Sequence, residues 1–122
     1  MLKRTEMDEH VTLMEQMSSD ESPVVLVNVF KVAPEDAGAL LEAWTADATL
    51  LREKPGFIST QLHRGIAGSS TFFNYATWES VEAFRAAFAD PEFQATFANY
   101  PDSTVASPHL FTKVAVPGIS EG

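Results

Sequence analysis

Two asparagines stand where asparagine is out of place. Asn28 lies inside the apolar, β-branched run 24–32, and Asn74 lies inside the aromatic-rich run Thr71–Trp78. Asparagine is depleted in mid-strand because its amide competes with the backbone for hydrogen bonds. Burying such an amide unpaired costs roughly 1–3 kcal/mol. Side chains alternate along a strand, so Asn28 shares a face with Val24, Leu26 and Phe30, and Asn74 and Trp78 share one with Phe72 and Ala76. Two readings are open. Each amide has a structural partner within the fold, or the two line a cavity and hydrogen-bond a ligand there. An isolated Trp78 reads first as a core aromatic.

Other groups that carry chemistry are scarce. His63 lies near the end of the run Phe57–Arg64, His109 opens the run 109–116, and His10 sits near the N-terminus. A lone histidine is ordinarily a surface or hydrogen-bonded residue. No His, Asp and Glu cluster at metal-ligand spacing, so no metal is expected. No glycine-rich loop precedes a helix to cradle a phosphate or dinucleotide. Cysteine is absent, and no Ser/His/Asp arrangement suits nucleophilic catalysis. An enzyme built this way relies on positioning and on the substrate's own reactivity. Phe84, Phe88, Phe93 and Phe97 read first as core residues. Phenylalanines of this kind also wall pockets, since ligand sites are mostly apolar with few polar groups.

The elements that must position these residues follow from periodicity and breakers. Residues 24–32 form a first strand. Pro34, Glu35 and Asp36 suit a first helical turn, and Leu40, Leu41, Trp44, Ala48 and Leu51 recur at helical spacing until Pro55-Gly56 ends the helix. Phe57–Arg64 and Thr71–Trp78 are strands joined by a turn bearing Gly65 and Gly68, which makes an antiparallel hairpin. Ser80 caps a helix with Val81, Phe84 and Phe88 on one face. Asp90-Pro91-Glu92 starts another short helical piece carrying Phe93 and Phe97. Residues 109–116 are expected as the last strand. Residues 1–22 read as an N-terminal tail, loose by default or else a short helix docked on a partner, with 18–23 as a linker. The domain proper spans 23–118.

This βαββαβ order predicts an α+β, ferredoxin-like fold, with a four-stranded antiparallel sheet and both helices on one face. The other face then presents Val25, Val27, Val29, Phe73 and Tyr75. That apolar patch is large for a monomer. Two sheets packed face to face remove it, so an isologous homodimer is expected.

Bulk composition narrows the function. The 122 residues suit one domain, and 45% hydrophobic residues is a globular value. A net charge of −9 repels phosphate backbones and anionic membranes, so neither nucleic acid nor membrane is an expected partner. No apolar run approaches the ~18 residues of a membrane span, and the N-terminus lacks the apolar core of a secretory signal. A cytoplasmic location is expected.

The stretch 24–30 (Val-Val-Leu-Val-Asn-Val-Phe), Pro55-Gly56-Phe57, residues 73–80 (Phe-Asn-Tyr-Ala-Thr-Trp-Glu-Ser) and Ala83-Phe84-Arg85 resemble the antibiotic biosynthesis monooxygenase family. The resemblance covers about residues 23–116. It implies a dimeric α/β barrel. One branch of the family consists of small oxygenases that turn anthrones or phenols into quinones with neither metal nor flavin. There the electron-rich substrate anion passes an electron to O₂, and the radical pair recombines. Neutral amides suit the hydrogen bonds that stabilise the substrate oxyanion. The resemblance places the asparagines of that branch on Asn28 and Asn74 and its tryptophan on Trp78. A tyrosine and an arginine used by some members fall at Phe84 and Phe97, which carry neither role. A second branch degrades haem with Asn, Trp and an axial His. Asn28 matches its Asn, but the other two fall near Ala87 and Phe97, so haem is not expected here.

The leading expectation is therefore a cofactor-independent monooxygenase acting on a small electron-rich aromatic and O₂. Asn28 and Asn74 would hold the enolate or phenolate oxygen, and Trp78 would orient the ring. Phe30, His63, Phe72, Phe84, Phe88 and Phe97 would contact the substrate. Two alternatives stay open: a cyclase or isomerase with His63 as general base, and a non-catalytic binder of hydrophobic ligands.

Overall fold

The computed structural model describes residues 1–122. Its strands are β1 (Lys3–Arg4), β2 (Val24–Lys31), β3 (Phe57–Arg64), β4 (Thr71–Trp78) and β5 (Val105–Phe111). They form one sheet in the order β1-β5-β2-β4-β3. The last four are antiparallel neighbours, and β1 runs parallel to β5 at the edge. The helices are α1 (Leu13–Gln16), α2 (Ala37–Leu51), α3 (Val81–Phe88) and α4 (Pro91–Ala95). Without β1 and α1, the βαββαβ order and its ferredoxin-like sheet are those the sequence pattern predicts. No helix is long and apolar enough to cross a membrane.

Alternation sorts β4 cleanly. Phe72, Asn74, Ala76 and Trp78 are buried beneath the helices, whereas Phe73 and Tyr75 are exposed on the outer face. In β2, Val24, Leu26 and Phe30 are buried on the helix side. Two clusters make up the core. One gathers Val24, Leu26, Ala76, Trp78, Val81 and Phe84. The other gathers Phe30, Leu40, Phe72, Tyr100 and Ala106. Ser80 and Asp90 cap α3 and α4 through their side-chain oxygens. Gly56 lies at φ +87°, and a β-carbon there would collide with Ala83 of α3. The close approach of β3 to α3 therefore requires glycine.

The last strand begins four residues earlier than expected and ends at Phe111. Pro108 is the reason the pattern misleads, since proline is disfavoured inside a sheet. Its setting removes the penalty. The Ala106 carbonyl accepts from the Thr5 N–H, and the Leu110 N–H donates to Gln16 Oε1. Even-numbered residues of β5 thus direct their polar groups away from β2, and a missing N–H at Pro108 costs the β2–β5 ladder nothing.

Residues 1–22 are not a loose tail: they include the short helix α1. They pack on their own sheet. Thr12 and Glu15 form a capping box on α1, and the Leu13 N–H donates to Glu6 Oε1 at 2.7 Å. Leu13 and Met17 are buried in the cluster that holds Trp78 and Phe84. Gln16 ties α1 to β5 through His109 Nδ1 at 2.8 Å and the Leu110 N–H at 2.7 Å.

Candidate functional site

A cavity lies between the sheet and the helices, walled mainly by apolar residues. The strand register brings the two asparagines together at its floor. Asn28 of β2 is the direct cross-strand partner of Asn74 of β4. Side chains so paired have β-carbons ~4.5–5.5 Å apart, close enough for both amides to reach one ligand atom. Trp78 stands on the same face of β4 and lines the same cavity. Its ring is held edge-on by Phe57 at 5.4 Å and Phe84 at 5.8 Å.

The polar atoms here are only partly satisfied. Asn74 Oδ1 accepts from the Thr60 hydroxyl, which fixes the amide and leaves its NH₂ without a protein partner. Asn28 Oδ1 and Trp78 Nε1 are buried with no hydrogen-bond partner at all. Orphaned buried groups are rare because each forfeits its hydration. Of the two readings open from sequence, Thr60 gives Asn74 a structural partner at one atom, while the orphans favour a ligand site.

Phe84, Phe88, Phe93 and Phe97 form one wall with neighbouring ring centroids 5.1–6.2 Å apart, and Phe30 contributes from β2. Two expected contacts are not brought in. Phe72 is on the inward face but at the far end of β4, buried in the other core cluster beneath the Arg64 guanidinium. His63 lies on the outer face, stacked on Phe73 at 4.2 Å. The cause is a β-bulge between Phe57 and Ser59. One extra residue reverses the facing of everything after it, so Phe57, Thr60 and Leu62 point inward and His63 points out. The general base assumed for a cyclase is thereby lost. His109 is likewise remote, bonded to Gln16.

The cavity holds two charged side chains that sequence reasoning missed. Arg4 of β1 places its guanidinium 5.1 Å from the Phe88 ring centroid, a cation–π contact. Its strand is two residues long, too short to show a period in the sequence. Asp47 of α2 is buried and also lines the cavity. Tyr100, stacked on Phe30, donates its hydroxyl to Asp47 Oδ2 at 2.7 Å. Burial pushes the Asp47 carboxyl up to about 6, with the Tyr100 bond opposing the rise. The same burial, with Asp47 beside it, drives Tyr100 well above its ordinary value. The signal for Asp47 was available: it stands seven residues after Leu40 and three after Trp44, a carboxylate on the apolar stripe of α2.

Asp47 costs stability at neutral pH. Below the ordinary carboxylate value of 3.8 it is protonated in both states and costs nothing. As pH rises toward 6 the unfolded chain ionises first, and the folded state loses ground. At about 1.4 kcal/mol per pH unit, the full difference is about 3 kcal/mol above pH 6. Asp47→Asn is neutral and still accepts from Tyr100. It is expected to be more stable than wild type at pH 7.5, by up to about 3 kcal/mol in urea unfolding, with the advantage fading between pH 6 and pH 4. A lower stability than wild type at pH 7.5 would overturn this reading.

The free interior of the cavity is about 50 Å³, enough for a few water molecules. A polycyclic ligand needs several hundred Å³, so binding requires the aromatic wall or the Leu2–Arg4 edge to yield.

Comparison with known proteins agrees with the fold. Residues 23–99 match the family profile "Antibiotic biosynthesis monooxygenase". Over 87 residues the chain is 41% identical to the tetracenomycin-F1 monooxygenase of Streptomyces glaucescens, covering 69% of this chain and 75% of that protein. Over 65 residues it is 42% identical to a mycobilin-producing heme oxygenase of Mycobacterium tuberculosis, covering 52% of this chain and 61% of that one. The fold matches the crystal structure of SnoaB, a cofactor-independent oxygenase from Streptomyces nogalater, with a TM-score of 0.69 at 25% identity over 80% of this chain and 99% of that one. The chain belongs to the antibiotic biosynthesis monooxygenase family and is an oxidoreductase.

Proposed function

We propose that this protein is a cofactor-independent monooxygenase that oxidises an electron-rich aromatic, such as an anthrone, phenol or quinol, with O₂. The observation that carries the reading is the cross-strand pair Asn28–Asn74, which faces an aromatic-walled cavity beside Trp78 with polar atoms left unpaired. In this reading the free NH₂ of Asn74 donates to the substrate oxygen that becomes anionic. Asn28 supports the same end of the substrate. Amides fixed before the charge develops stabilise it without reorganising, and the apolar wall strengthens the effect by lowering the local dielectric. Trp78 supplies an indole N–H and a ring on which the substrate stacks. The resulting carbanion or phenolate reduces O₂ by one electron, the radical and superoxide combine, and the peroxide collapses to a carbonyl and water. SnoaB's description as a cofactor-independent oxygenase and the likeness to tetracenomycin-F1 monooxygenase support this class of reaction. Haem degradation finds less support, because no histidine lines the cavity to serve as an axial ligand.

The test is oxygen uptake by metal-free, flavin-free protein with dithranol as the anthrone. Uptake above the spontaneous rate, yielding the quinone, is expected. Dithranol that binds but consumes no oxygen beyond the spontaneous rate would count against the oxygenase and favour a cyclase, isomerase or binding protein.

The working unit in this proposal is a homodimer. Phe73 and Tyr75 are 37% and 43% exposed on the outer face, next to half-buried Val25, Val27 and Val29. A second copy packed on that face removes the patch from water. Sedimentation equilibrium is expected to give twice the mass of the 13.3 kDa chain, and Tyr75→Lys with Val27→Asp is expected to give the monomer. A wild-type monomer at micromolar concentration would rule the dimer out.

A further inference from the structure

We propose that Asp47 is the base that takes the proton from the bound substrate, and that Tyr100 is its positioning residue. This rests on the oxygenase reading and supplies what that reading lacks. The Asn28 and Asn74 amides can hold an oxyanion, but neither can accept a proton at neutral pH. The cavity is walled mainly by apolar side chains and has room for only a few waters, so a side chain of the wall is the better-placed acceptor.

The wall offers little choice. Its charged side chains are Asp47 and Arg4, and Arg4 is a cation with no lone pair to give. The only titratable side chain bonded to Asp47 is Tyr100, whose own proton is held far too tightly to leave at neutral pH. The geometry suits a base. Tyr100 anchors Oδ2 at 2.7 Å, and Oδ1 makes no hydrogen bond to the protein. Tyr100 is itself fixed by stacking on Phe30 with planes 6° apart. One oxygen is held and the other is free. Burial raises the basicity of the carboxylate above the ordinary, yet leaves it ionised at neutral pH.

The step balances. A substrate C–H or O–H proton moves to Asp47 Oδ1, and its electron pair stays on the substrate as the enolate or phenolate. That anion passes one electron to O₂. Substrate radical and superoxide form the C–O bond, and the peroxide anion takes the proton back from Asp47. At an anthrone methylene, Asp47 then removes the second C–H proton while the O–O bond breaks. The departing hydroxide recovers that proton as water. The sum is CH₂ + O₂ → C=O + H₂O, with Asp47 returned to its ionised form.

A structural tie between α2 and the segment after α4 would be served as well by asparagine, so Asp47→Asn separates the two roles. Oxygen uptake with dithranol is followed for wild type, Asp47→Asn and Tyr100→Phe from pH 5 to 9, with unfolding curves as a check on folding. Wild-type kcat is expected to rise through a limb near pH 6 and then level off. Asp47→Asn is expected to lose that limb and at least about 10²-fold in kcat at pH 7, with KM within about threefold. Its deficit should shrink where the substrate ionises by itself in solution. Tyr100→Phe is expected to move the limb to higher pH, because the carboxylate loses a donor. Wild-type uptake together with an unchanged Asp47→Asn profile, or with a rise in KM alone, overturns Asp47 as the base while leaving the oxygenase reading standing. Should Asp47→Asn not fold, an unmoved limb in Tyr100→Phe overturns the proposal. No uptake by wild type overturns both.

Discussion

Asn74→Ala is expected to lower kcat for dithranol oxidation by about 10²–10³-fold, the loss typical when one preorganised donor to an oxyanion is removed. The reasoning runs through Thr60. Its hydroxyl occupies Asn74 Oδ1, so the amide presents NH₂ to the cavity and needs no rotation when charge appears. Alanine removes that donor and leaves a small void beside Asn28, its cross-strand partner. Asn74→Asp is the sharper variant. It keeps the shape and the acceptor for Thr60, but sets a negative charge against the substrate anion, and it should fall at least as far as alanine. Trp78→Phe retains the aromatic contacts to Phe57 and Phe84 and loses only the indole N–H and ring area. A smaller decrease is expected from it. The measurement is initial oxygen uptake at saturating dithranol, corrected for autoxidation. An Asn74→Ala rate equal to wild type would remove Asn74 from the chemistry.

Deleting residues 1–22 is expected to cost about 3–6 kcal/mol of stability. The segment contributes Leu13 and Met17 to the cluster around Trp78 and Phe84, and burying such a side chain is worth about 1.5–3 kcal/mol. Its loss also leaves the Leu110 N–H without Gln16 and removes Arg4 from the face of Phe88. Against a total stability of about 5–15 kcal/mol for a typical domain, the truncated chain stands near the edge of folding. Leu13→Ala isolates the packing part and should cost about 2–5 kcal/mol. Urea unfolding of the three proteins decides the matter, and an unchanged midpoint for the truncated chain would make the segment a mere appendage.

The difference between what was and was not legible in the residues is physical. Alternation in β2 and β4 is unbroken, so the facing of Asn28, Asn74 and Trp78 could be read directly. In β3 a single bulge after Phe57 reverses the facing, and nothing in Phe57-Ile58-Ser59 announces it. His63 faces outward as a result. The fourth antiparallel strand was displaced by a proline whose missing N–H happens to point off the ladder. The N-terminal elements are two and four residues long, shorter than any period can be measured over, and they hold through tertiary contacts. Asp47 was visible as a residue but not as a site, because a carboxylate on an apolar stripe has meaning only once Tyr100 is seen beside it.

Both tryptophans of the chain, Trp44 and Trp78, stand in the wall of the same cavity, that of Asn28 and Asn74. The protein thus has a built-in optical reporter, with no tryptophan elsewhere to add background. Any aromatic that enters must stack near an indole and alter its emission, and a quinone, as an electron acceptor, must quench it. Stopped-flow fluorescence on the unlabelled protein can therefore time ligand arrival, and the darkening as product forms, apart from oxygen consumption. With Trp44→Phe, the remaining signal belongs to Trp78 alone.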